Sequence, residues 1–328
     1  MTTYKEIFGK YVKNYSSDPT ADAEGQVWYN TTSGTFKSQL FVAAAWASGG
    51  ALTTGRRGIG SAGTQTAGLG FGGSIPGGVT AATEEYNGST WGPGGNLGTS
   101  RYIMGGCGTQ TSGLGFGGYK PVSSGGPTTS NLTEEYNGSA WGGGGNLGTG
   151  RNAVGGAGTQ TAGLAIGGSA APGVTTATEE YDGAAWTAGG NLPAARSTSG
   201  EAGIQTAALA FGGSITGGGV TNTSVEYDGT SWTAGGNINT TRISIGGAGT
   251  QTAALGFGGY IPGTGGTAAT ESYDGSSWTN STSLATARSN LGGVGTQTDA
   301  LAFGGAAYLT TTEEFTGATL TTKTITTS

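Results

Sequence analysis

The chain contains no histidine and a single cysteine, Cys107. Without histidine, the usual general base and the commonest metal ligand are missing. One thiol cannot build a disulfide framework or a zinc cluster. Cys107 stands where most copies of a repeat carry Ala, so it reads as a packing residue. Charge is equally scarce: 10% of residues are charged, and the formal net charge is −6. A solvated disordered chain needs far more charge than that. An acidic balance with dispersed arginines offers no basic stripe for nucleic acid, so no nucleic-acid partner is expected. The longest apolar stretch, LFVAAAW at 40–46, is too short to span a bilayer. The N-terminus, MTTYKEIFGKYVKNYSSDP, is polar and lysine-dotted, without the apolar core of a signal peptide. Synthesis in a cytoplasm without membrane insertion is the expectation.

What the chain has instead is glycine, 72 residues of it, and an internal repeat. TEEYNGSTW (83–91) returns as TEEYNGSAW (133–141), TEEYDGAAW (178–186), SVEYDGTSW (224–232), TESYDGSSW (270–278) and TEEFTGATL (312–320). A Gly-Thr-Gln-Thr element starts at Gly63, Gly108, Gly158, Gly203 (as GIQT), Gly249 and Gly295, at intervals of 45, 50, 45, 46 and 46 residues. Such periods mark a propeller or a solenoid.

Each copy reads as four short strands. The first follows an arginine, the second is TAALAFGG (206–213) or its equivalent, the third ends at the tyrosine and the fourth carries the tryptophan. Asn-Gly or Asp-Gly joins the last two, which predicts a tight turn with positive φ at both residues. The second strand is bulky on one face, with Leu69 and Phe71 or Leu209 and Phe211. Its other face is bare, with Gly68 and Gly70 or Ala208 and Ala210. Sheets of this kind stack on copies of themselves, bulk into hollow.

The order Gly72-Gly73, Tyr86, Trp91, Arg101, repeated along the chain, resembles the kelch family of β-propellers. The resemblance covers roughly 41–328; Gly-Thr-Gln-Thr is foreign to it, and Phe315 and Leu320 replace Tyr and Trp in the last copy. It implies an all-β, six-bladed propeller of four-stranded antiparallel blades. A strand near 41–47 is expected to pair with the last blade and complete it. Residues 1–40 then form a separate segment with a short hairpin in EGQVWYNTTSGTFK (24–37).

Spacing within the repeat separates scaffold from variable parts. From Trp to the next Arg is always 10 residues, and from Tyr or Phe to Trp or Leu always 5. Only the stretch from the diglycine to the aromatic residue changes, through 13, 18, 13, 14, 14 and 10 residues. Variable loops on a rigid scaffold are where binding surfaces sit. The candidate receptor-binding residues are therefore Ile75, Pro76, Tyr119, Lys120, Pro121, Tyr260, Ile261 and Pro262.

The repeated charged and aromatic residues read as scaffold: Arg101, Arg151, Arg196, Arg242 and Arg288; Glu85, Glu135, Glu180 and Glu226; and Trp91, Trp141, Trp186, Trp232 and Trp278. A Glu–Arg pair within or between blades is expected, because Arg suits a partly buried bidentate site. No catalytic residue, metal ligand or cofactor is assigned, since a catalytic pair appears once rather than six times. The unrepeated acids, Glu201 and Asp299, fall in different copies. The Gly-Thr-Gln-Thr copies are expected to form a polar ring that satisfies turn backbone groups, with a sugar- or ion-binding ring as the alternative.

The run SSDP…EGQVWYNTTSGTFK resembles segments near the N-termini of tail-fibre and other virion proteins of tailed bacteriophages, notably cyanophages. This implies a virion protein assembled in host cytoplasm and acting outside the host cell. Residues 1–40 would attach it to other tail proteins or to copies of itself as a homo-oligomer. The propeller would bind a host-surface glycan or protein. The alternatives are a purely structural particle component and a glycan-cleaving enzyme.

Overall fold

The computed structural model describes residues 12–19, 26–121 and 128–326. Among them the one helical element is a 3-10 turn, Thr216–Gly218; no helix is long and apolar enough to cross a membrane. The chain forms two compact units, Met1–Ala45 with Gly317–Ser328, and Trp46–Thr316. The repeat pattern puts the boundary after residue 40 and the C-terminus with the repeats. The division differs because the strand Thr35–Val42 runs past residue 40 and pairs with Thr319–Thr324, from Lys37 opposite Thr324 to Val42 opposite Thr319.

The first unit is one sheet in the order Lys13–Tyr15, Val27–Asn30, Thr35–Val42, Thr319–Thr324. Its hairpin joins Val27–Asn30 to Thr35–Val42; Glu24 and Gly25 of the expected segment lie outside the described residues. Asp18 ties the sheet together, accepting bonds from Lys37 Nζ at 2.7 Å, Asn30 Nδ2 at 2.7 Å and Trp28 Nε1 at 3.2 Å. The Lys37 bond, then the Asn30 bond, holds the Asp18 carboxyl below the usual carboxylate range.

The second unit holds six four-stranded antiparallel sheets, an arrangement compatible with a β-propeller. In the first, Gly60–Gly63, Gly68–Phe71, Thr83–Tyr86 and Trp91–Pro93 lie side by side in chain order. In the last, Gly292–Gly295, Asp299–Phe303 and Thr312–Thr316 are followed by Ala45–Gly49 as fourth strand.

Stacking between sheets follows from the bulky and bare faces. Leu69 and Phe71 are fully buried. A Cβ on Gly113 would lie 2.8 Å from Leu69 Cδ2, and one on Gly115 would lie 2.8 Å from Phe71 Cε2. The first sheet receives the last in the same way, Gly68 facing Leu301 and Gly70 facing Phe303, each at 2.8 Å. Real Cβ atoms do not come this close to a packed side chain, so these four glycines leave no room for one as the sheets stand; where other copies have Ala, as at Ala208 and Ala210, that is the largest residue found there.

A chain of backbone hydrogen bonds links the segments just ahead of the first strands. Ile103 N–H donates to Gly58 O, Ala153 to Ile103, Thr198 to Ala153, Ser244 to Thr198 and Asn290 to Ser244, at 2.7–3.2 Å; Gly58 N–H donates to Asn290 O at 2.8 Å. All six residues have φ between +50° and +61°. For Ile103 and Thr198 that conformation costs roughly 1–3 kcal/mol each, and the bonds just described hold it.

The hairpin turns differ from the two-residue turn expected. Asn87–Thr90 form a four-residue loop between Tyr86 and Trp91, in which only Gly88 has positive φ, +87°. Asn87 Oδ1 instead accepts from the Ser89 and Thr90 amides at 3.0 and 2.9 Å. The Asx side chain substitutes for backbone in closing the turn. Asp274 does likewise with Ser276 and Ser277, and the backbone bond from Ser277 leads the causes that hold its carboxyl down at about 2.

Gly115→Ala is expected to cost about 1–3 kcal/mol by overpacking against Phe71, read as a lower urea midpoint. Gly142→Ala, whose Cβ would meet nothing within 4 Å, is expected to stay within about 0.5 kcal/mol of the native protein.

Candidate functional site

The repeated side chains are occupied in holding sheets together. Each repeated arginine is buried. Arg101 Nη1 donates to the carbonyls of Gly117 and Leu132, both at 2.8 Å, and its Nη2 meets Glu134 at 2.8 Å. The same ion pair recurs between Arg56 and Glu84, Arg151 and Glu179, Arg242 and Glu271, and Arg288 and Glu313, at 2.5–3.1 Å. The partner is the first glutamate of the pair and lies in the arginine's own repeat. Glu85, Glu135, Glu180 and Glu226, the residues singled out from sequence, have another task. They accept the hydroxyls of Tyr136, Tyr181, Tyr227 and Tyr273 from the following repeat, at 2.5–2.6 Å. The two glutamates alternate across the strand, so one serves its own repeat and the other a neighbour. Burial, followed by the glutamate bond, pushes these tyrosines up to about 12.

Tryptophan and glutamine also bridge sheets. Trp141, Trp186 and Trp232 donate Nε1 to Thr83, Thr133 and Thr178 at 2.8–3.0 Å, and Trp91 donates to Thr312 at 2.9 Å. Gln110 Nε2 donates to Gly68 O and Tyr86 O of the preceding sheet at 3.0 and 2.6 Å. Gln160, Gln205, Gln251 and Gln297 repeat that pattern. The glutamines thus satisfy a neighbouring sheet's carbonyls, where the sequence pointed to their own turns.

What varies gathers on one face of the second unit. The residue after each diglycine pairs with the residue after each repeated arginine: Ser74 with Arg57, Tyr119 with Tyr102, Ser169 with Asn152, Ser214 with Ser197 and Tyr260 with Ile243. Of the sequence candidates, Tyr119–Lys120 and Tyr260–Ile261 form short strands, as does Ser74–Ile75, while Pro76, Pro121 and Pro262 are exposed at the turns. Residues 122–127 of the longest loop lie outside the described residues. Grooves of about 440 Å³ and 690 Å³ run between successive loops, the first lined by Tyr119, Asn152 and Pro172, the second by Pro172, Val174 and Ile215.

Three residues absent from the sequence candidates belong to this face. Tyr102 lies against Tyr119, ring centroids 5.5 Å apart. The Arg57 guanidinium sits over the Tyr308 ring, 5.1 Å from its centroid. Burial and Tyr119 raise the Tyr102 hydroxyl's pKa, and the Arg57 charge acts against them. Tyr308 and Ala307 hold φ of +55° and +65° in succession, strain of the sort stored at binding sites. For Arg57 and Tyr102 the signal in the sequence is the position after the repeated arginine, which differs between copies in a segment of fixed length: Arg57, Tyr102, Asn152, Ser197, Ile243, Ser289; Tyr308 lies in the shortest loop and carries no such signal.

A second non-repeated feature lies among the first strands of the sheets. A cavity of about 150 Å³ is lined by the first strands of all six sheets, and Glu201 faces it. Ser199 Oγ donates to Glu201 Oε1 at 2.7 Å, yet burial outweighs that bond and pushes the carboxyl up to about 8. Asp299 is exposed at the start of Asp299–Phe303, bonded to Thr298, and does not line the cavity. No group of three or more His, Cys, Asp or Glu stands together among the described residues. Compared with protein-family models and with curated proteins, the chain matches none.

Glu271→Gln, which strands the fully buried Arg242 charge, is expected to cost about 3–5 kcal/mol, measured by chemical denaturation. Glu201 carries a pH signature of opposite sign from an ion-paired acid. Between its ordinary value of 4.5 and about 8 the folded state binds more protons than the unfolded state. Its contribution therefore falls as pH rises through that window. Unfolding at pH 5 and pH 9, in buffers of organic cations, should show Glu201→Gln gaining stability relative to the native chain.

Proposed function

We propose that the chain is a tail-associated virion protein of a tailed bacteriophage. In this reading Trp46–Thr316 is a six-bladed kelch-like propeller whose loop-bearing face adheres to a host-surface glycan or protein. Support for the ring comes from the bonds that join the first sheet to the last, Gly58 to Asn290 and Trp91 to Thr312. The observation that carries adhesion is a division of labour. The repeated polar side chains are bonded within the scaffold, whereas Arg57, Tyr102, Tyr119, Tyr260 and Tyr308 depart from the repeat on a single face. Tyrosine and arginine supply large contact area at low entropic cost. Among the described residues Arg57 has no carboxylate within ion-pair distance, so its charge is free for an anionic group of a ligand.

The first unit suits attachment. Among the described residues six of the eight exposed large apolar side chains, Phe36, Leu40, Phe41, Val42, Leu320 and Ile325, lie on its last two strands or just beyond. Such a concentration marks a protein-docking surface, for another tail protein or for further copies of the chain. A purely structural particle component would share this unit and leave the loop face idle. A glycan-cleaving enzyme finds less support, because Glu201 faces the internal cavity and Asp299 the exterior.

Binding of the full chain to host cells and to a bacterial polysaccharide array tests the reading. Arg57→Ala and Tyr102→Ala are expected to weaken binding about ten-fold each, ~1.4 kcal/mol, with unchanged unfolding midpoints. Thr187→Ala, on an outer strand, should bind like the native chain. Absence of binding by the native chain would favour the structural component, and release of reducing ends would favour the enzyme.

A further inference from the structure

The third and fourth repeats break the pattern at three positions that act on one another. Ile166 stands where the other copies have Phe71, Phe116, Phe211, Phe257 and Phe303. Glu201 stands where they have Ser61 or glycine, and Val225 where they have the arginine-pairing glutamate. In five sheets the phenylalanine ring fills the space beside the first glycine of the first strand. A Cβ on Gly60, Gly105, Gly200, Gly246 or Gly292 would meet that ring at 2.2–2.6 Å. At Gly155 it would meet Glu201 Oε1 at 2.3 Å instead. A carboxylate thus occupies volume that a phenyl ring fills elsewhere.

Among the described residues nothing fully neutralises it. Glu201 takes part in no ion pair among the described residues. Arg196, deprived of a glutamate at 225, bonds to Ala210 O, Thr223 O and Thr223 Oγ1, and feels Glu201 only at longer range. Among the described residues the carboxylate accepts one hydrogen bond, from Ser199. Glu201 is half-buried where it lines the cavity, and a carboxylate partly withdrawn from water without a basic partner favours a proton or a cation. The cavity it faces, about 150 Å³, has room for roughly five waters at ~30 Å³ each. Its polar side chains are all oxygen or amide groups: Ser61, Thr198, Ser199, Ser244, Asn290 and Glu201.

We infer that this central cavity is a binding site for a small hard cation of the calcium or potassium type, partly hydrated, with Glu201 as its one charged ligand. Oxygen donors without imidazole or thiolate select hard cations. A single carboxylate sets the affinity low, on the order of 10⁻⁴–10⁻³ M, since affinity scales with ligand charge. The cation supplies the positive charge that Arg196 is too distant to give, and it ties together first strands from all six sheets. This inference is independent of host adhesion.

Thermal unfolding of the full chain provides the test, at pH 9 and constant ionic strength set with tetramethylammonium chloride. Calcium chloride and potassium chloride are titrated separately to tens of millimolar. The native chain is expected to show a Tm that rises with the logarithm of one salt's concentration, and Glu201→Gln should show none. The double variant Glu201→Gly/Ile166→Phe restores the residues of the other repeats, so it keeps the test open if the single variant fails to fold; it too should lose the response. A native chain indifferent to both salts, or a double variant that responds as the native does, overturns the inference.

Discussion

Everything in the repeat unit depends on one packing constraint: the bulky face of a sheet must enter the bare face of the next. Leu69 and Phe71 reach backbone at Gly113 and Gly115, where an added Cβ would press on the Leu69 and Phe71 side chains as they now stand; other copies accept nothing larger than Ala at the same places, as at Ala208 and Ala210. That contact brings neighbouring sheets close enough for hydrogen bonds from the side chains of one to the side chains and backbone of the other. Trp141 then reaches Thr83, Tyr136 reaches Glu85 and Gln110 reaches Tyr86 O. Each sheet is held to its neighbour by apolar contact and by at least three hydrogen bonds. Small residues, Gly or Ala, on the bare face are therefore a packing requirement of the stack.

This arrangement also gives the paired glutamates beside each tyrosine a structural task. One carboxylate neutralises a buried arginine in its own repeat, and the other fixes a tyrosine hydroxyl from the following repeat. A scaffold that consumes its repeated charges leaves function to departures from the repeat. The departures cluster in two places. One is the loop face with Arg57, Tyr102 and Tyr308; the other is the cavity with Glu201. The first reads as contact chemistry for an external partner, and the second as an internal site for a small ion.

The sequence showed the strand order, the stacking faces and the loop positions because each rests on periodicity or fixed spacing, which a single chain displays six times over. Three things escaped it. Which glutamate pairs with arginine depends on which side of the strand faces its own repeat, and alternation alone does not say. The left-handed conformation at Ile103 and Thr198 runs against what β-branched residues prefer, so no local signal announces it. Tyr308 sits in the shortest loop, where length drew no notice, and Arg57 stands beside an arginine of the scaffold. Glu201 was visible as an unrepeated acid, but its place became apparent only once Ile166 was seen to leave room for it.

The central claim is that every sheet interlocks with its neighbours, the first with the last as well. Amide hydrogen exchange of the full chain tests this at one residue. Gly58 N–H, donating to Asn290 O, should be protected to the same degree as the amides of Ile103, Ala153, Thr198, Ser244 and Asn290, which make the other bonds of the series. Rapid exchange at Gly58, with the other five protected, would show that the first and last sheets do not meet and would contradict the account.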